Sequence, residues 1–142
     1  MQYENEARVF FSARSENEFF ARLFTAGILT QLDPTIAEMT DIKTAVSEAV
    51  TNAIIHGYEK QDGQVELFCG YAENKVYIEV ADKGKGIADI SQAREPLYTS
   101  KPEMERSGMG FTIMETFMDH VRIESTVGEG TRIFMEKTLA KE

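Results

Sequence analysis

Apolar positions along the chain follow two different periods, and the switch between them divides the sequence into elements. Val9-Phe10-Phe11 centres a first strand from Arg8 to Ala13. Ser15, with Glu18 three residues later, has the form of a capping box that opens a helix. Phe19, Phe20, Leu23, Phe24, Ile28, Leu29 and Leu32 then recur at helical spacing and predict a wide apolar face. Asp33-Pro34 breaks that pattern, and Thr35 with Glu38 forms a second capping box. The helix that follows carries Ile36, Met39, Ile42, Val46, Ala49, Val50, Ala53 and Ile54 on the side predicted to be buried, and Gly57 is a natural stop.

Beyond Gly57 the period falls from 3.6 to 2. Val65, Leu67 and Cys69 alternate with Glu66, Phe68 and Gly70, and Val76, Ile78 and Val80 alternate with Tyr77, Glu79 and Ala81. Glu73-Asn74 supplies a turn, so an antiparallel hairpin with one buried face is expected. The pattern weakens from Ile87 to Ser107, with a short helix near Ile90 to Arg94. A third long helix runs from Gly108 to Met118, and a closing hairpin joins Val121–Ser125 to Thr131–Lys137 through Gly128-Glu129-Gly130. Helices gathered on one face of such strands make a two-layer α+β sandwich. No repeat or Pro/Gly/Ser linker divides the 142 residues, so one domain over residues 1–142 is expected.

Charge narrows the possible partners. Lys and Arg total 15 against 24 Asp and Glu, a net charge of −9. Nucleic-acid binding depends on neutralising phosphates, so direct contact with nucleic acid or an anionic membrane is not expected, and a basic protein partner suits this surface better. Cys69 is the single cysteine, which excludes an internal disulfide, and its place in the apolar alternation makes it a small buried side chain. No stretch approaches the ~20 apolar residues that cross a bilayer. The acidic start, Met1 to Glu6, lacks the basic and apolar regions of a signal peptide, and a cytoplasmic location is expected.

Three segments could carry chemistry. Glu48, Asn52 and His56 are spaced i, i+4, i+8 and fall on one helix face beside the apolar stripe. A carboxylate one turn from a carboxamide suits a base next to a ligand for a hard cation such as Mg²⁺. An ordinary polar helix edge has the same pattern. Asp82-Lys83-Gly84-Lys85-Gly86 follows an apolar strand, and its acid is well placed to accept hydrogen bonds from an amine. A plain glycine-rich turn leaving the sheet fits it equally. Arg106-Ser107-Gly108-Met109-Gly110 brings a polar, partly basic loop to a helix start, where unpaired amides favour an anion. A glycine-rich connection would look the same.

Together the three segments resemble the ATP-binding fold that gyrase shares with histidine kinases, a sandwich with a mixed, largely antiparallel sheet covered on one face by helices. The blocks Ser12 to Glu18, Ser47 to Tyr58 and Arg106 to Glu115 are similar, more closely, to the anti-sigma F factors of endospore-forming bacilli. The resemblance spans nearly the whole chain. It implies a homodimeric serine protein kinase that binds a sporulation sigma factor with ATP, keeps it from RNA polymerase, and phosphorylates a serine of an anti-anti-sigma factor. Carried over by motif, Glu48 is the base acting on that serine and Asn52 holds Mg²⁺. Asp82 accepts from the adenine amino group, with Gly84 and Gly86 letting the base pack close. Arg106, Ser107, Gly108 and Gly110 contact phosphates, and Thr131 completes the adenine site. Arg22 matches a partner-contacting position, and His56 is expected to be structural. Two further readings stay open: a nucleotide-dependent module that sequesters sigma without phosphotransfer, and the related general-stress anti-sigma kinase.

Overall fold

The computed structural model describes residues 2–59, 61–94 and 110–140. Five strands, β1 (Asn5–Ser12), β2 (Gln64–Ala72), β3 (Lys75–Asp82), β4 (His120–Thr126) and β5 (Gly130–Thr138), form one sheet in the order β1-β2-β3-β5-β4. All its pairings are antiparallel, with no parallel pair among the described residues. Four α-helices accompany it: α1 (Asn17–Leu29), α2 (Ile36–Asn52), α3 (Ile90–Ala93) and α4 (Gly110–Phe117). The expected α+β sandwich is present.

The second capping box forms as the sequence predicts. Thr35 Oγ1 accepts the Glu38 N–H at 3.0 Å, and Glu38 Oε1 accepts the Thr35 N–H at 2.9 Å. From there Ile42, Ala45, Val46, Ala49 and Val50 face inward at helical spacing. They pack on Val65, Leu67 and Cys69 of β2 and Val76, Ile78 and Val80 of β3, which all lie within the same core. Burial at this scale stabilises each large aliphatic side chain by about 1.5–3 kcal/mol. Cys69 is buried, and desolvation pushes its thiol up to about 12, so it behaves as a small apolar group.

The structure departs from the apolar pattern in four places. The first capping box does not form: α1 begins at Asn17, and Glu16, at the N-cap, makes no capping bond, its carboxylate instead accepting from Arg14 Nε at 3.2 Å. Ser15 instead lies inside a turn in which Asn17 N–H reaches the Arg14 carbonyl, and its own carbonyl, not its hydroxyl, accepts the Glu18 N–H. The wide apolar face of α1 is also split. Ala21, Thr25 and Leu29 point to the core, whereas Phe19 and Leu23 are 60% and 55% exposed. Ile36, expected on the buried side of α2, is exposed because the first turn of the helix overhangs the packed stretch.

Finally, the α-helical pattern stops at Asn52. Ala53–Gly57 form a wider π-helical turn, closed by a hydrogen bond from Tyr58 N–H to the Ala53 carbonyl. Such a turn is the mark of one residue inserted into an α-helix, and it is common at functional sites.

Candidate functional site

A cavity of about 390 Å³ opens where α2 gives way to the π turn. Asn52, His56 and Gly57 form one wall, Gly86 to Asp89 a second, and Gly110 with Phe111 at the start of α4 a third. Thr131 closes the end next to the sheet. Glu48, one turn before Asn52, is half-buried on α2 and does not line this space. The change from α to π winding follows Asn52 directly, so the stripe Glu48–Asn52–His56 does not run straight up one helix face. Asn52 and His56 both face the cavity nonetheless.

Asp82 ends β3 immediately behind Gly57. It is 7% exposed, and its Oδ1 accepts the Gly84 N–H at 2.8 Å. Burial pushes its carboxyl up to about 6, against the opposing pull of the Gly84 and Thr131 amides. For a buried carboxylate beside a cavity, one further hydrogen-bond donor has most to contribute.

The glycines of this region answer a demand of the chain itself. A Cβ on Gly57 would stand 2.7 Å from the Asp82 carboxyl carbon, and one on Gly84 would overlap the Gly57 backbone. The Lys85 N–H donates to the Gly57 carbonyl at 2.9 Å, sealing the two segments together. Gly86 has φ +78°, a conformation that favours glycine, and its Cα faces the Thr126 carbonyl at the β4–β5 turn. The sequence analysis assigned Gly84 and Gly86 to close packing of a ligand. Both are already needed for close packing of backbone on backbone; Gly86 also lines the cavity and Gly84 does not.

Two side chains absent from the sequence-based set hold this arrangement. The Tyr58 hydroxyl donates to the Gln64 carbonyl at 2.6 Å and accepts the Lys83 N–H at 2.7 Å, tying the turn after Asp82 to the start of β2. Ser125 Oγ accepts the Ile87 N–H at 2.7 Å and lies 2.8 Å from Thr131 Oγ1. Tyr58 closes one of the blocks that carry the resemblance but had no role there, Ser125 lies in none of them, and the hydrogen bonds of the folded chain reveal both.

Arg22 Nη1 donates to Ser47 Oγ at 3.1 Å, which ties α1 to α2 one residue before Glu48. Gly110 begins α4 and lines the cavity. The expected phosphate contacts Arg106, Ser107 and Gly108 lie outside the described residues. Among the described residues, no group of three or more His, Cys, Asp or Glu side chains could hold a metal ion. No described helix is long and apolar enough to cross a membrane.

Residues 11–137 match the family model of the histidine kinase-like ATPase domain. The fold agrees with solved members of that class. The RsbU and RsbW domains of a Mycobacterium tuberculosis protein superpose with a TM-score of 0.70 at 18% identity, over 97% of this chain and 33% of that chain. Full-length ShkA, solved in complex with AMPPNP, superposes with a TM-score of 0.59 at 19% identity, over 100% of this chain and 33% of that one. Sequence is more specific. The chain is 57% identical over 136 residues to the anti-sigma F factor of Clostridium novyi (strain NT), covering 95% of each. A histidine kinase-like ATPase domain is thus the class. Within that class, the chain belongs to the anti-sigma F factor family.

Proposed function

We propose that this chain is an ATP-dependent serine protein kinase and an antagonist of a sporulation sigma factor, which it withholds from RNA polymerase while phosphorylating a serine of an anti-anti-sigma factor. One observation carries the nucleotide part: a buried carboxylate, Asp82, which does not itself line the cavity, stands directly behind Gly57 in the wall that Asn52, Gly57 and the start of α4 form. Identity of 57% over 95% of both chains supports the sigma-directed part.

Bound ATP with Mg²⁺ would supply the phosphoryl group to be transferred. The residues of the chain position it and its acceptor, which is most of what phosphoryl transfer asks of a protein. Asp82 accepts from the amino group of the base, beside Gly84 and Gly86, and Thr131 completes that end. Asn52 offers an oxygen to the metal. Mg²⁺ would draw its remaining ligands from phosphate and water, as it commonly does. The amide of Gly110, with Arg106, Ser107 and Gly108, meets the phosphates. Glu48 orients the serine hydroxyl of the partner and takes its proton.

Arg22 contacts a protein partner, and the exposed Phe19 and Leu23, one turn apart on α1, supply an apolar surface suited to a second copy of the chain. The net charge of −9 favours a basic partner segment and disfavours nucleic acid or an anionic membrane surface. A cytoplasmic site of action follows from such partners.

The test is phosphoserine formation on purified anti-anti-sigma factor with Mg-ATP. The native protein should transfer phosphate. Glu48→Gln should keep nucleotide and sigma binding and lose transfer by about 10²–10⁴-fold, the usual worth of a general base. Unchanged transfer would remove Glu48 from the mechanism. No transfer by a native protein that binds ATP would leave a sequestering module and end the kinase assignment.

A further inference from the structure

Arg94 caps the C-terminal end of α3, and its side chain reaches two neighbouring elements. Nη2 donates to the Val121 carbonyl near the start of β4 at 2.7 Å. Nε lies 3.7 Å from a carboxylate oxygen of Glu115 on α4. That separation makes an ion pair but not a hydrogen bond. Among the described residues, Arg94 Nε is the only buried side-chain nitrogen or oxygen without a hydrogen-bond partner.

A buried donor whose bond is unmade carries its desolvation cost in full. Here the acceptor that would relieve it is in place and about 0.7 Å too distant. The two groups belong to different walls of the cavity. Gln92 and Ala93 line it just before Arg94, and Gly110 and Phe111 line it at the start of the helix that carries Glu115. That helix is held firmly: Met114 is fully buried, and Lys137 Nζ donates to the Phe117 carbonyl at its last residue at 2.8 Å. Any adjustment therefore falls to α3, a single turn of four residues with none of them buried.

We propose that Arg94 is a positioning residue: a nucleotide that touches both walls draws α3 onto α4, and the Nε–H of Arg94 then donates to Glu115. The inference rests on the nucleotide site proposed above and adds how its walls are brought together. Because the bond is made only in the closed form, it strengthens ligand affinity and contributes little to the stability of the chain alone. A lysine would keep the charge but not the role, since one ammonium cannot serve the Val121 carbonyl and Glu115 from two fixed nitrogens.

The purified full chain, Arg94→Lys, Glu115→Ala and the double variant test this by ATP titration and by thermal unfolding without nucleotide. Each single variant should lose about tenfold in ATP affinity, the worth of one hydrogen bond, and the double variant should lose no more than either. Glu115→Ala should unfold at nearly the native temperature when no nucleotide is present, because a partly exposed pair that is not hydrogen-bonded contributes little. Glu115→Gln, which keeps an acceptor oxygen, should lose less affinity than Glu115→Ala. An unchanged ATP affinity in Glu115→Ala overturns the proposal. Additive losses in the double variant also overturn it, as does a Glu115→Ala chain that is clearly destabilised without nucleotide, the mark of a bond that only holds the fold. Should Arg94→Lys fail to fold, Glu115→Ala decides alone by the same two measurements. A native protein with no affinity for ATP removes the nucleotide site and this proposal with it; native ATP binding that Glu115→Ala leaves intact removes only the role of Arg94.

Discussion

Gly57 and Asp82 are packed so closely that a single methyl group on the glycine would sit 2.7 Å from the carboxyl carbon of the acid. The contact joins the end of the helical wall to the end of β3, and it holds the buried Asp82 carboxylate in place behind that wall.

Gly57→Ala should therefore damage the site more than the fold. Overpacking of this kind costs about 1–3 kcal/mol, which thermal unfolding would register as a modest loss. Displacement of Asp82 should lower nucleotide affinity well beyond that of a substitution at Gly27, where an added Cβ meets nothing within 4 Å. Equal affinities for Gly57→Ala and Gly27→Ala would show that the contact does not govern binding.

The raised carboxyl of Asp82 gives stability a defined pH dependence. Its value is about 6 in the folded chain against an ordinary 3.8, so between those limits the native state holds a proton that the unfolded chain has released. The stabilisation is complete below pH 3.8 and disappears as pH rises through 6, a contribution of about 3 kcal/mol at full extent. Asp82→Asn should flatten that part of the denaturant-midpoint profile. Nucleotide binding should run the other way, since only the ionised group accepts from an amine without competition. Affinity for ATP is expected to rise as pH passes 6 and to be weak at all pH values in Asp82→Asn. A pH-independent affinity from 5 to 7.5 would detach Asp82 from the ligand.

Tyr58→Phe removes the one hydroxyl that bridges the Lys83 amide and the Gln64 carbonyl. Loss of the pair should cost about 1–2 kcal/mol. Because the Lys83 amide lies one residue after Asp82, hydrogen exchange should accelerate at residues 83–86 before it does in β2. Uniform exchange across both segments would mean that the bridge has no local effect.

Much of this architecture was legible in the sequence because it depends on neighbours in the chain. Thr35 and Glu38 are three residues apart, and their capping box forms as predicted. The strict alternation of Val76, Ile78 and Val80 fixes the inner face of β3. Asp82 was picked out by the resemblance, since the acid and glycines at a strand end fit a plain turn equally well. What escaped depends on contacts between distant segments. Ser125 is an unremarked strand residue until pairing sets it against Thr131. Phe68, on the face expected to be open, is buried because Tyr3 stacks on it at 5.1 Å and Arg8 lies over it at 4.8 Å. Phe19 and Leu23 obey helical spacing and still face outward, since periodicity identifies an apolar face without saying what covers it. The π turn was invisible for a related reason: nothing in Ala53-Ile54-Ile55-His56-Gly57 distinguishes a hydrogen bond closed over five residues from one closed over four.

That turn also sets which way the tail of the helix faces. Each residue advances an α-helix by about 100° of rotation. The wider turn absorbs one extra residue between Asn52 and Tyr58, with the Tyr58 N–H closing on the Ala53 carbonyl. Wound as regular α-helix, the same five residues would carry the tail round by that further angle. His56 would leave the cavity wall, and Gly57 would no longer face Asp82. A second inserted residue, with no wider turn to take it up, would do the same.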